Sequence, residues 1–172
     1  MTNQRKILFD KMKLTNLDKI QAVLVICLNE SLKLSKYANQ LNSLTGGLIE
    51  RYKKSSVFLE QKENSCFTLN FPTGLRADAI IVIKTSKICD VLGARASGAS
   101  LSKTLGSRKA VASFCDHPYQ NEIIFGFGMM DYKFSHHKSV SKNGKHSLRI
   151  FVENPDLSQK NYEVFQAINA GI

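Results

Sequence analysis

The sequence predicts an α/β domain, a mixed sheet held between helices, and three observations predict it. Short β-branched runs, Ala22 to Leu28 (AVLVICL) and Asp78 to Lys84 (DAIIVIK), alternate with stretches where apolar residues recur every three or four positions. Glycines fall inside two of those helical stretches, at Gly46-Gly47 and at Gly126 and Gly128. Each costs a helix roughly 0.8–1 kcal/mol relative to Ala, so their presence points to close backbone approach. Finally, 172 residues suffice for one domain, which at this size buries roughly 70% of its extended-chain surface.

Taken in order, Lys6 to Met12 reads as an edge strand leading into a Thr15-Asn16 turn. Ala22 to Leu28 is apolar throughout, as a central strand covered on both faces would be. Ser35 is an N-cap for a long helix on which Tyr37, Leu41, Leu44, Leu48 and Tyr52 share a face. A phosphate-cradling loop wants glycines before a helix, so Gly46-Gly47, inside this pattern, are read as a packing contact. Cys66 to Phe71 and Asp78 to Lys84 are expected to pair antiparallel through Pro72-Thr73-Gly74.

Asp90 caps the next helix, whose Ala94, Gly98, Leu101 and Leu105 form a small-residue face suited to lie close on a sheet, and Gly106 ends it. Ala110 to Cys115 is a short strand and Asp116-His117-Pro118 a turn. His117 reads as a structural turn histidine, because no serine, cysteine or metal-ligand pattern accompanies it. Asn121 to Ser139 follows as a core helix with Ile123, Phe127, Met130 and Phe134 on one face, and a sheet face is the expected neighbour of Gly126 and Gly128. Leu148 to Val152 is a further strand, and a last helix from about Ser158 carries Tyr162, Phe165, Ile168 and Ile172 on one stripe.

Four scattered cysteines, Cys27, Cys66, Cys89 and Cys115, lack any C-x-x-C spacing and are expected to be buried free thiols. Adjacent His136 and His137 point in different directions from any regular element and make a poor zinc pair. The longest apolar run is far too short to cross a bilayer and Met1 to Asn16 has no apolar signal core, so a cytoplasmic protein without membrane contact is expected.

The formal charge of +10 is the compositional outlier. Lys133, Lys138, Lys142, Lys145 and Arg149 occur between Tyr132 and Val152 without an intervening acid. They form a candidate basic contact patch, for water, a neighbouring subunit, or nucleic acid bound through its phosphates. No residue is assigned to catalysis, to a cofactor or to a metal, because the 14 acids are spread singly, without paired carboxylates at metal-ligand spacing.

Three motifs in order carry a resemblance. Phe125-Gly126, Tyr132, Phe134, Lys138 and Ser139 fit a run F/E-G-x-x-x-x-x-Y-x-F-x-x-x-K-S. Leu41-Asn42-Ser43-Leu44-Thr45-Gly46-Gly47-Leu48 with Phe58 ten residues on, and Arg95-Ala96-Ser97-Gly98-Ala99 with Leu101 and Leu105, fit two earlier helices of the same pattern. Over about Ala22 to Ile172 the chain resembles the N-terminal domain of the leucyl (cytosol) aminopeptidases. It departs from them at Leu59 to Ser65, where relatives usually have Gly-Lys-x-Gly, and at Lys84-Thr85-Ser86, where they often have Gly-x-Gly.

The resemblance implies a macro-domain-like three-layer fold. It implies a single domain over residues 1–155 and, over 156–172, the start of a linker helix towards an absent C-terminal catalytic domain, with Ile172 a cut end. The family's catalytic motifs, N-T-D-A-E-G-R and G-K-G-x-x-F-D-S-G-G, do not occur here. The implied role is therefore non-catalytic, serving assembly of a homohexamer and access to its active sites, while two divalent metals, zinc or manganese, belong to the catalytic domain of the same polypeptide. The alternatives are a stand-alone macro-type module for ADP-ribose or another nucleotide, and a basic nucleic-acid-binding domain.

Overall fold

Among the described residues six apolar segments pair into one sheet: β1 (Ile7–Lys11), β2 (Val23–Leu28), β3 (Ser65–Asn70), β4 (Ala79–Lys84), β5 (Ala110–Ser113) and β6 (Leu148–Val152). The computed structural model describes residues 5–137 and 147–171, the side chains of 132–137 excepted. Strand order is β1-β6-β5-β2-β4-β3. All neighbours run parallel except β3 and β4, the antiparallel pair joined through Pro72-Thr73-Gly74 as expected.

The β2 run is apolar throughout because both of its faces are covered. Val23 and Val25 point into a core shared with helices α4 (Val91–Leu105), α5 (Gln120–His137) and α6 (Pro155–Asn169). Leu24, Ile26 and Leu28 point into a second core under α1 (Lys36–Leu44), α2 (Leu48–Lys53) and α3 (Ser56–Glu60). Each such side chain, fully buried, contributes about 1.5–3 kcal/mol. The result is three layers, helices on both faces of a mixed sheet.

Several local readings need correction. Ser35 does cap α1, its Oγ accepting from Ala38 N–H at 3.0 Å, but the helix stops at Leu44. Gly46 and Gly47 have φ of 63° and 84°, left-handed values that L side chains rarely adopt, and Gly47 caps the separate helix α2. A Cβ at either glycine would meet nothing within 4 Å, so conformation and not close packing explains them. The helical spacing persists across the break because Leu41, Ile49 and Tyr52 bury into the same core.

The second correction concerns the glycines of the helices on the other face. A Cβ on Gly126 would lie 2.1 Å from the Arg95 carbonyl oxygen, and one on Gly98 would lie 1.9 Å from that of Ile123. These glycines let α4 and α5 touch backbone to backbone, and a sheet face is not their neighbour. Gly128 instead faces the rings of Tyr162 and Phe165 on α6. That last helix begins at Pro155, with Asn154 accepting from Leu157 N–H, a few residues earlier than its apolar stripe indicated. Tyr162 and Phe165 are core residues, Ile168 is 67% exposed, and Ile172 and the Phe134 side chain lie outside the described residues. All four cysteines are unpaired, as expected, but partly and not fully buried.

Candidate functional site

Neighbouring strands β2 and β5 send the chain to opposite faces, β2 to α1 and β5 to α5. Diverging loops open a crevice at the carboxyl ends of the strands, the place where open α/β sheets hold ligands. Here the crevice is lined by Cys27, by Asn29 and Lys33 after β2, by Thr85 and Cys89 after β4, and by Asp116 and His117 after β5. Sequence reading missed it, because these residues converge only once the strand order is known.

Most polar groups at this end are already engaged with one another. Asn29 Nδ2 donates to Thr85 Oγ1 at 3.3 Å and to the Ser86 carbonyl at 2.7 Å, while its Oδ1 accepts from Ser31 N–H at 2.9 Å. Glu30 takes Lys84 and Lys87, each at 2.9 Å, and those hydrogen bonds hold its carboxyl below the usual range. The Lys84 ammonium, on a residue only 3% exposed, also donates to the carbonyls of Phe58 and Leu59 at 2.9 Å each. His117 Nδ1 accepts from Tyr119 N–H at 3.0 Å, and burial lowers its pKa, which favours the neutral ring. It is the structural turn histidine that the sequence indicated. Burial pushes the Cys27 thiol far up, away from the thiolate needed for nucleophilic attack.

The crevice that remains measures about 40 Å³. Small-molecule pockets are typically ~300–1,000 Å³, so this one suits a few waters or a single inserted group. Its loops, residues 29–35, 85–90 and 114–119, contain no glycine whose backbone could wrap a diphosphate. Among the described residues no group of three His, Cys, Asp or Glu side chains is placed to hold a metal ion, so these residues do not fit the dinuclear centre of a metallopeptidase.

Of the predicted basic patch, Lys138, Lys142 and Lys145 lie outside the described residues, as does the side chain of Lys133 on α5. Arg149, on β6, has Nη1 3.1 Å from Asp10 Oδ2 on β1. It lines a groove of about 350 Å³ together with Lys13 and Lys109, over Val111 and Phe151. Those two lysines were not legible as part of the patch. Parallel pairing of Ala110 with Leu148 is what brings Lys109 beside the start of β6.

No protein-family model matches the chain. Two curated relatives do, each named "Probable cytosol aminopeptidase". The one from Cereibacter sphaeroides is 27% identical over 91% of this chain and 32% of its own length, and the one from Dinoroseobacter shibae is 27% identical over 81% and 28%. The chain thus spans about a third of the length of these relatives. Among solved structures it is similar to a Trypanosoma brucei macrodomain in complex with ADP (TM-score 0.65, 15% identity, 94% of this chain and 69% of that one). It is also similar to the macrodomain of Mycobacterium tuberculosis DarG (TM-score 0.64, 12% identity, 87% and 99%). By sequence the chain is a relative of the cytosol aminopeptidases, in keeping with their N-terminal domain, and by fold it is a macrodomain-like α/β sandwich.

Proposed function

We propose that this chain is the non-catalytic N-terminal domain of a cytoplasmic metal-dependent aminopeptidase, an enzyme that releases N-terminal residues from peptides. Its work is to hold subunits together in a homohexamer and to help control access to the active sites. The observation that carries this reading is the pair of relatives matched over most of this chain but only 32% and 28% of their own lengths. The remainder of such a polypeptide supplies the catalytic domain and its two divalent metals, zinc or manganese, and α6 leads towards it. No helix among the described residues is long and apolar enough to cross a membrane.

An immunoblot of source-cell extract tests the reading, because the 172 residues alone weigh 19.2 kDa. A much heavier native band, with aminopeptidase activity in the full-length protein and none in these residues, is the expected result. A native band at the size of this chain overturns it.

A macro-type nucleotide module is the second reading. Supporting it are similar structures that include T. brucei macrodomains in complex with ADP and with ADP-ribose, and the switch-point crevice lies where such a ligand would enter. Its small volume and glycine-free loops favour the first reading. Calorimetric titration with ADP-ribose is expected to give no heat, and saturable heat would reverse the order. Binding to nucleic-acid phosphates is the third reading, supported by the groove between Lys13, Lys109 and Arg149. A gel shift unchanged by Lys109→Glu with Arg149→Glu would exclude that groove.

A further inference from the structure

Strand β3 lies at the end of the sheet, with β4 on one side and no strand among the described residues on the other. Register determines which of its backbone groups face outward. Phe71 N–H donates to the Asp78 carbonyl at 2.7 Å, and the same register pairs Leu69 with Ile80 and Phe67 with Val82. Hydrogen bonds of an antiparallel ladder fall on alternate residues, so Phe67 and Leu69 exchange theirs with β4. The N–H and C=O groups of Cys66, Thr68 and Asn70 therefore point away from the sheet.

Native sheets usually blunt such an edge with Lys, Pro or a bulge, since a row of outward donors and acceptors is a template for another strand. Ser65 to Asn70 (SCFTLN) contains no charge, no proline and no glycine. The segment that carries it also departs from the charge of the chain. From Ser56 to Ala79 two bases, Lys62 and Arg76, stand against three acids, Glu60, Glu63 and Asp78, in a chain of formal charge +10. Self-repulsion between two copies is therefore weaker for this segment than for the chain as a whole.

Apolar side chains flank the edge. Phe67 is 38% exposed and stacks on Tyr52 at 5.3 Å, and Phe71 is 81% exposed. Phe71 also sits at φ 49°, a left-handed conformation that costs a bulky residue about 1–2 kcal/mol. The chain thus holds an aromatic ring in solvent, on a strained backbone, at the end of an unprotected edge.

We propose that β3 is a self-association edge, to which a second copy of this chain adds its own β3, antiparallel, about a two-fold axis through Thr68. On that axis Thr68 faces Thr68 of the second copy, and Cys66 faces Asn70, so every outward backbone group finds a partner. Such closure needs a strand that is its own complement, and a two-fold contact between identical patches is the commonest way proteins form closed oligomers. The near-neutral charge of the segment selects the same occupant, because an acidic partner would be drawn to the basic faces elsewhere. The inference stands on the strand itself and holds whether or not the chain belongs to a peptidase.

Light scattering on the purified chain, at roughly 100 µM and in serial dilution, tests it with two variants. Thr68→Pro removes only an outward N–H, which edge strands tolerate, and Thr68→Lys places like charges on the axis. The expected result is twice the 19.2 kDa mass for the unaltered chain and the single-chain mass for both variants, with unchanged far-UV circular dichroism. Should the proline variant fail to fold, the lysine variant decides alone. An unaltered chain of single mass at every concentration, or a doubled mass that persists in a folded Thr68→Lys variant, overturns the proposal.

Discussion

His117 accepts a backbone hydrogen bond through Nδ1 while burial disfavours its charged form. Below its ordinary value of 6.5 the unfolded chain therefore binds a proton that the folded chain resists. Stability carried by the neutral ring is present above that value and is lost as pH falls towards the lower folded one. His117→Asn keeps an acceptor near the position of Nδ1 and abolishes the titration. Its urea midpoint is expected to fall less than that of the unaltered chain between pH 7 and pH 5; equal falls would contradict the account. The histidine, the Ser35 cap and the Asp90 cap, whose carboxylate accepts from Gly93 N–H at 2.6 Å, were all legible in sequence. Each acts within three residues of itself. Lys84 was not, because a lysine ending a strand reads as solvent-facing until Glu30, Phe58 and Leu59 are known to surround its ammonium. Replacing it with Met leaves those carbonyls unmatched in a buried setting, and a loss of about 3–5 kcal/mol in urea unfolding is expected.

At the scale of elements, the contact between α4 and α5 depends on two glycines and should tolerate no added side chain at either. A methyl group at Gly98 or Gly126 would fall inside the backbone of the facing helix. Either alanine variant is expected to lose at least about 1–3 kcal/mol. Gly46→Ala meets open space and suffers only the positive φ, about 1–2 kcal/mol. Chemical denaturation of the three variants would separate the mechanisms, and equal losses would mean that close approach matters no more than conformation. Sequence reading inverted part of this. Glycine in a helical pattern signals an exception without saying whether the exception is a packed backbone or a left-handed turn. Leu44 and Leu48 keep helical spacing across the turn, so periodicity hid the break between α1 and α2, and the single turn of α3 was too short to show any period.

For the whole molecule, a formal charge of +10 opposes compaction through self-repulsion. Screening relieves this, so raising sodium chloride from low salt to 0.2 M is expected to lift the melting temperature by about 2–4 °C, near 1 kcal/mol for a domain of this size. A melting point that falls instead would show that ion pairs such as Lys84–Glu30 outweigh the repulsion. Layering and class were readable because strands covered on both faces are apolar throughout and helices are striped, and those patterns are local. Strand order was not, and with it went the crevice, the partners of Arg149 and the open edge at β3. Each depends on pairings between segments far apart in the chain.

Among the described residues strand β1 pairs with β6 alone, Ile7 beside Leu148 and Lys11 beside Val152. Strand β1 is therefore synthesised well over a hundred residues before its neighbour. At translation speeds of about 5–20 residues per second it waits roughly 7–28 s for β6 to be made. Throughout that interval its backbone is open to chaperones, to proteases and to the same strand on a neighbouring nascent chain.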